Sequence, residues 1–185
     1  LHSFPTRRSS DLKGRANHCR EQVTASHLLA NVNAAAAYAR VRKIPVIWVR
    51  TGFADDYHDI PLHSPLFNHL KHIGALRLNG PGCRWAPDLH QEETDLQFDK
   101  TAVSAFSGNN LLAWLRQHRC HHLLLAGVST SLAIESTARQ AHDAGFQVTV
   151  LHDLCAAPTQ ELHQQSLDTL QNLAEIARSQ AWMQG

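Results

Sequence analysis

The chain has 185 residues, of which 43% are hydrophobic and 18% are charged, and its formal net charge is +1. These values suit one globular domain with a sizeable core. The near-neutral charge argues against a nucleic-acid-binding or acidic-membrane-binding surface. No apolar run approaches the roughly 18 residues of a membrane-spanning helix. The four cysteines are far apart and form no C-x-x-C pair, so we expect reduced, structural thiols and a cytoplasmic protein.

The N-terminal residues lack the sequence patterns that are typical of folded protein. Residues 1–12, LHSFPTRRSSDL, lack hydrophobic periodicity and combine Pro5 with a basic and serine-rich cluster. Residues 3–12 resemble the conceptual translation of a sequencing-library adapter. We therefore interpret residues 1–12 as a non-native segment and residues 13–185 as a single domain. A natural disordered tail is the alternative, and the codons at the genomic locus would distinguish the two.

The first predicted helix and strand follow a polar segment. Residues 13–23 predict a loop, and Thr24 or Ser26 is expected to cap a helix that runs to about Arg42. From Leu28 onward, apolar residues recur at i, i+4, i+7 and i+11, which places them on one helical face. Residues 45–50, PVIWVR, begin with a proline that cannot continue the helix and predict a buried strand.

Residues 51–93 form the least regular region and are rich in glycine and proline. Long loops of this kind often carry substrate contacts. Phe53 and Trp85 within it, and Phe106 further along, are candidate substrate-binding residues. Packing is the alternative role for these aromatic side chains.

The second half alternates strands and helices. Strands are predicted at residues 96–100, 123–126, 147–151 and 174–178. Helices are predicted from Asn109 or Asn110 to about His118, from Leu132 to Ala144, and after Pro158 and Thr159; residues 181–185 are expected to be a tail. This alternation implies an α/β fold with a parallel sheet and right-handed crossovers.

Residues 123–145 bring a strand, a small-residue turn and a helix N-terminus together. Thr130 or Ser131 can cap this helix, and Glu135 lies near the positive end of its dipole. Backbone N–H groups at such a point can hold an anion, or an oxyanion that forms during a reaction. An ordinary strand–helix turn is the alternative.

Two segments carry a resemblance to a known family. Residues 127–139, GVSTSLAIESTAR, resemble the signature G-V-[AS]-T-x-x-C-V-x-x-T-A of the isochorismatase-like (cysteine hydrolase) superfamily. Ala133 occupies the position of the family cysteine. Residues 100–108 resemble the family segment K-x-x-x-S-A-F-x-G/T, which matches Lys100 to the family's catalytic lysine. Cys155 falls in a D-A-C-A-S-like strand end, so we interpret it as a buried structural thiol.

The resemblance implies a three-layer α/β/α fold with a mainly parallel sheet in the strand order 3-2-1-4-5-6. It also implies that backbone N–H groups of Val128, Ser129 and Thr130 hold the oxyanion beside a cis peptide at Val128–Ser129. Family members open with an apolar strand that ends in a D-x-Q-x-D-F-like motif, whose first Asp is the general base. No such segment precedes Lys13, so strand 1 is expected to be missing and no residue is assigned as the base.

The alanine at position 133 limits the chemistry that the resemblance implies. A methyl group cannot attack a carbonyl, so a thioester route to amide hydrolysis is closed there. True isochorismatases carry a small residue at this position and cleave a vinyl ether by acid–base chemistry. We therefore expect a hydrolase of a small metabolite, acting on a vinyl-ether or amide C–O or C–N bond, with impaired activity in this chain. A non-catalytic homologue that binds a small molecule or an oligomer partner is the alternative.

We predict neither a metal nor another cofactor. Nicotinamidase-type members bind a metal through an Asp-x-His element, but the acidic residues 55–59, DDYHD, have a different order and favour a solvated turn. The expected partners are a small-molecule substrate and, in the intact parent protein, further copies of the same chain. Nucleic acid and membrane partners are not expected.

Overall fold

The computed structural model describes residues 19–185, apart from the side chain of Arg20. Residues 1–18, with the predicted adapter segment and the start of the predicted loop, lie outside this part. The described α-helices are α1 (Arg20–Ala25), α2 (Leu28–Val41), α3 (Pro65–His72), α4 (Leu111–Gln117), α5 (Glu135–Asp143), α6 (Gln160–Leu170) and α7 (Ser179–Gln184). The described strands are β1 (Ile47–Thr51), β2 (Leu96–Lys100), β3 (His122–Val128), β4 (Gln147–Ala156) and β5 (Glu175–Ala177).

The described strands form two parallel sheets. In one sheet β1 pairs with β2, from Ile47 opposite Leu96 to Thr51 opposite Lys100. The other sheet has the order β3-β4-β5, also with parallel pairing. The predicted α/β class with a parallel sheet is therefore confirmed.

An apolar cavity of about 360 Å³ lies between β1 and β3. Its lining includes Ile47 and Val49 of β1 and residues 123–126 of β3. No strand among residues 19–185 joins the two sheets. The arrangement β2-β1 followed by β3-β4-β5 corresponds to the expected order 3-2-1-4-5-6, without strand 1 among residues 19–185.

Helices cover both faces of the sheets and create three layers. On one face, the predicted apolar stripe of α2 packs with Trp48 of β1 and with Leu151 and Leu154 of β4. On the other face, helices α4, α5 and α6 pack against Val49, Leu125 and Val150. Fully burying a large aliphatic side chain contributes roughly 1.5–3 kcal/mol, so these two clusters supply the main driving force for the layered fold.

The N-terminal helices differ from the prediction. Residues 20–25 are helical rather than a loop, and Val23 packs against the α2 cluster. The predicted cap of α2 by Thr24 or Ser26 is wrong. The N-cap is His27 in a left-handed conformation with φ 50°, and the Ser26 hydroxyl donates to the carbonyl of Gln22 at 2.7 Å.

The C-terminal residues form helix α7 rather than a tail. The Asp153 carboxylate accepts hydrogen bonds from the backbone N–H and the hydroxyl of Ser179, at 2.7 and 2.6 Å. Trp182 packs edge-on against Tyr38 with 5.0 Å between ring centroids. Both contacts are distant in sequence, so local pattern could not predict this helix.

The irregular region also contains a helix that the sequence analysis missed. Helix α3 has Pro65 in its first turn, and the Ser64 side chain accepts a hydrogen bond from the backbone N–H of Phe67 at 3.4 Å. This combination is typical of a helix start. Strand β4 is longer than predicted and ends at Ala156. None of the helices in residues 19–185 is long and apolar enough to cross a membrane.

Candidate active site

Two chain segments meet beyond the carboxyl ends of the parallel strands. The first follows β2, which ends at Lys100, and the second follows β3, which ends at Val128. They are joined by a hydrogen bond of 3.0 Å from the backbone N–H of Ala105 to the hydroxyl of Thr137 on α5. Ligands of open α/β sheets bind at this edge of the sheet. That Lys100 and the turn after β3 border one pocket remains a prediction, and this hydrogen bond supports it.

Lys100 is buried in the segment after β2. Its side chain is 1% exposed, and the ammonium Nζ donates to the backbone carbonyl of Val103. Burial lowers the pKa of Lys100 to about 7, because the charged amine loses its hydration. A lysine with such a pKa can donate or accept a proton near neutral pH.

The loop after Lys100 is held by local contacts. The Asn109 side-chain amide donates to the carbonyls of Asp99 and Ala105, at 2.8 and 3.0 Å. Its side-chain oxygen accepts from the backbone N–H of Leu111 at 3.0 Å, at the start of α4. The N-cap of α4 is Asn110, whose side chain forms no capping hydrogen bond, and Asn109 binds the first N–H of the helix from the preceding position. These bonds fix both ends of the segment that contains Ser104, Ala105 and Phe106.

The turn after β3 has an unusual backbone. The peptide bond Val128–Ser129 is cis, as the resemblance implies. Residues Thr130–Ile134 form a π-helical turn before α5 begins at Glu135. The carbonyl of Ser129 accepts the N–H groups of Leu132 and Ile134, at 3.3 and 3.1 Å.

Side chains in this turn do not act as the predicted helix cap. Thr130 is fully buried, and its hydroxyl lies 2.8 Å from Nδ1 of His163 on α6. No side-chain cap is formed at the start of the π-helical turn or of α5. The prediction of a Thr130 or Ser131 cap is wrong, because tertiary packing engages the Thr130 hydroxyl.

Ala133 lies inside the turn and is 8% exposed. Its methyl group provides no nucleophile, proton donor or proton acceptor. The turn therefore offers backbone groups and the hydroxyls of Ser129, Thr130 and Ser131. A ligand bound at the turn could therefore contact only these groups and side chains from other segments.

The three aromatic candidates occupy different places. Phe53 is buried in a satellite cluster, where it packs edge-on against Phe67 at 5.4 Å between ring centroids. Trp85 packs edge-on against Trp48, and its indole N–H donates to Gln97 at 3.2 Å. Phe106 belongs to the main core and lines the cavity between the sheets. All three make packing contacts, and substrate contact remains a prediction for each.

The acidic residues after β1 form a hydrogen-bonded turn. Asp59 accepts the backbone N–H of Ala54, Asp56 pairs with the exposed His58 at 2.7 Å, and Asp55 accepts from Asn79. Within residues 19–185, no group of three or more His, Cys, Asp or Glu side chains is arranged to hold a metal ion. These contacts are those expected of a solvated acidic turn.

Cys155 has the character of a structural thiol. It lies on β4 opposite Gly127, is buried, and its Sγ donates to the carbonyl of Leu151 at 3.4 Å. Burial raises the pKa of Cys155 to about 12. A thiol that stays protonated at neutral pH is a poor nucleophile.

The structure adds two residues that the sequence analysis did not connect with the site. Thr137 accepts the backbone N–H of Ala105, and His163 contacts Thr130. Thr137 falls within the signature segment, but the signature does not indicate that it binds the segment after Lys100. His163 lies 33 positions from Thr130 on a largely polar helix, and no local signal identifies it.

Comparisons with known proteins identify relatives of this chain. A family model described as the isochorismatase domain matches residues 15–181. The isochorismatase family protein YecD of Escherichia coli O157:H7 is 30% identical over 148 residues, which cover 78% of this chain and 75% of that protein. A probable inactive nicotinamidase of Arabidopsis thaliana is 30% identical over 148 residues, with 79% and 76% covered.

A solved structure shows the same fold. A cysteine hydrolase from Pseudomonas syringae pv. phaseolicola 1448A superposes with a TM-score of 0.85 at 19% identity, covering 100% of this chain and 89% of that chain. At this level of identity the likeness concerns the fold alone. The family model and the relatives of 30% identity establish the rest: the chain belongs to the isochorismatase family of hydrolases.

Proposed function

We propose that the protein is a hydrolase of a small metabolite with a vinyl-ether or amide C–O or C–N bond, and that the activity of this 185-residue chain is impaired. The observation that carries the proposal is the buried Lys100 at the end of β2, with a pKa of about 7. Among these bonds, Ala133 favours the vinyl ether. We expect a cytoplasmic homo-oligomer for the intact parent protein.

Vinyl-ether hydrolysis needs no covalent intermediate. Protonation of the vinyl carbon gives an oxocarbenium ion, water adds to it, and the hemiketal collapses to a carbonyl compound and an alcohol. Lys100 can supply or stabilise charge in these proton transfers. The backbone groups of the turn at Val128–Thr130 would bind a carboxylate or a developing oxyanion of the substrate.

Two features support impaired activity. Ala133 impairs amide hydrolysis, because it removes the thioester route at the position of the family cysteine. In residues 19–185, β1 is the first strand. These residues therefore contain no strand before β1 that could carry the family's general-base carboxylate at its end. Losing a nucleophile or its base typically removes several orders of magnitude of rate.

A non-catalytic binding protein is the second candidate. It is favoured by the absence of a nucleophile at Ala133 and by the likeness to a relative that is itself described as a probable inactive nicotinamidase. In this case the buried lysine and the turn would bind a small carboxylate without turnover.

The test compares five proteins on isochorismate and on a panel of small amides. They are the unmodified chain, a strand-restored form with residues 1–12 replaced by an apolar strand ending in Asp, Ala133→Cys, both changes together, and the strand-restored form with Lys100→Met. We expect vinyl-ether turnover only in the strand-restored forms that keep Lys100. Robust amidase activity of Ala133→Cys alone would contradict the assignment of the missing base. No turnover in any form, with retained carboxylate binding, would favour the non-catalytic candidate.

A further inference from the structure

The turn after β3 is bracketed by two hydrogen bonds from a single helix. His163 Nδ1 lies 2.8 Å from the Thr130 hydroxyl, and the Ser166 hydroxyl donates to Glu135 at 3.1 Å. Thr130 is the first residue of the π-helical turn, and Glu135 is the first residue of α5 directly after it. Helix α6 therefore contacts both ends of the turn.

We propose that His163 and Ser166 are positioning residues that hold the Val128–Ala133 turn in its ligand-binding geometry through Thr130 and Glu135. This inference rests on the proposed function, since it takes the turn as the place where substrate binds. Neither residue is expected to touch the substrate.

The burial of these polar groups supports a positioning role. His163 and Ser166 lie three residues apart on the same face of α6 and are 7% and 4% exposed, next to the buried Leu167 and Leu170. Apolar residues would fill such positions without a desolvation penalty. Buried hydrogen bonds contribute little net stability, but they fix the relative orientation of the two groups that they join. A misplaced partner would leave a buried polar group unsatisfied.

The surroundings of His163 keep its imidazole neutral. Burial lowers its pKa, and His152 on β4 lowers it further. The facing carboxylate of Glu135 is paired with Arg139 at 2.8 Å, and Glu161 on α6 itself is exposed. In the neutral imidazole, Nδ1 can accept a hydrogen bond from the Thr130 hydroxyl, whereas both ring nitrogens of the imidazolium can only donate hydrogen bonds. Protonation of His163 in that tautomer would force the Thr130 hydroxyl to reorient.

The experiment measures binding of benzoate as the probe carboxylate and the backbone amide resonances of residues 129–134 by NMR. The variants are His163→Leu, His163→Asn, Thr130→Val and Ser166→Ala. Asn can place a polar atom near the position of Nδ1, so it tests rescue of the hydrogen bond. Leu170→Val is the matched control, since it weakens the packing of the same helix without touching the turn; Thr169→Ala is a surface control.

We expect His163→Leu and Thr130→Val each to weaken benzoate binding about tenfold, as loss of one well-placed hydrogen bond predicts. Their double variant should be no weaker than either single variant, His163→Asn should restore most of the affinity, and Ser166→Ala should have a smaller effect. The turn amides should shift with the titration of His163 in the unmodified chain and not in His163→Leu.

The proposal is overturned if Leu170→Val weakens binding as much as His163→Leu, or if His163→Leu leaves both affinity and turn resonances unchanged. If benzoate binds to no form, the proposed function of the turn fails. The turn resonances then still decide whether His163 and Ser166 position it.

Discussion

Lys100 is the residue on which the proposed chemistry depends most. An ammonium group on a side chain that is 1% exposed loses most of its hydration, and this loss lowers its pKa. The same burial that prepares the amine for proton transfer near neutral pH also reduces the stability of the folded state.

We predict that Lys100 makes a contribution to the free energy of unfolding that rises with pH. Its pKa is about 7 in the folded chain against 10.5 for an ordinary lysine. Between these values the unfolded chain holds the Lys100 proton and the folded chain does not, so this contribution increases from about pH 7 to 10.5, by roughly 1.4 kcal/mol per pKa unit of difference. Buried thiols with a raised pKa, such as Cys155, act in the opposite direction above their ordinary value of 9.0, so the measured quantity is the difference between the unmodified chain and Lys100→Met. Urea titrations over this range should show the unmodified chain gaining stability relative to Lys100→Met as the pH rises. The exposed Lys71→Met is the control, and a difference from Lys100→Met that stays constant with pH would contradict the prediction.

Gly108 allows the loop after Lys100 to close on itself. Its φ is +79°, and a Cβ there would lie 2.2 Å from the hydroxyl oxygen of Thr101. We predict that Gly108→Ala destabilises the fold by roughly 2–4 kcal/mol. Gly145→Ala is the matched control, because it has φ +88° with open space around a Cβ and should cost about 1 kcal/mol. If urea denaturation gives Gly108→Ala and Gly145→Ala the same loss of unfolding free energy, the prediction is contradicted, because the clash with Thr101 is then relieved by a shift of its side chain.

At the scale of elements, distant contacts decide which weak segments become helices. Helix α7 is six residues long, too short to be stable alone. Its start is held by the carboxylate of Asp153 on β4, and Trp182 packs on Tyr38 of α2. The element thus depends on a sheet and a helix that are both far away in sequence.

We predict that Asp153→Ala loosens α7 selectively. Loss of the two hydrogen bonds to Ser179 should cost about 1–2 kcal/mol and should accelerate hydrogen exchange of the α7 amides more than that of the β4 amides. Asp143→Ala, at the exposed end of α5, is the control. Unchanged exchange in α7 would mean that Trp182 packing alone holds the helix.

At the scale of the whole molecule, the described sheet is divided between β1 and β3 by the apolar cavity. The two halves are held together by the helical layers. Exposed sheet edges are templates for pairing with other chains.

We predict that the unmodified chain unfolds with low cooperativity or self-associates. Replacing residues 1–12 by an apolar strand should yield a sharper transition and a more soluble protein, because one continuous sheet would then span the domain. Calorimetry and sedimentation compare the two forms. Cooperative unfolding of the unmodified chain as a soluble monomer would contradict the prediction.

Much of the fold could be predicted from local sequence. The apolar spacing from Leu28 placed α2 and its buried face, and the runs at residues 45–50 and 123–126 placed two buried strands, because hydrophobic periodicity reports directly on burial. The signature around Ala133 and the segment after Lys100 identified the family. Ala133 by itself excludes a covalent thioester route, since the side chain has no nucleophilic atom.

Only the tertiary structure decided the contacts that join distant segments. The bond between Thr130 and His163, the bond between Ala105 and Thr137, and the capping of α7 by Asp153 bring together residues at least 26 positions apart. Sequence patterns encode which side chains are buried, but they do not encode which buried polar groups meet. That pairing depends on how helices and strands pack, because each buried hydrogen-bonding group takes whichever partner the packed layers place within reach.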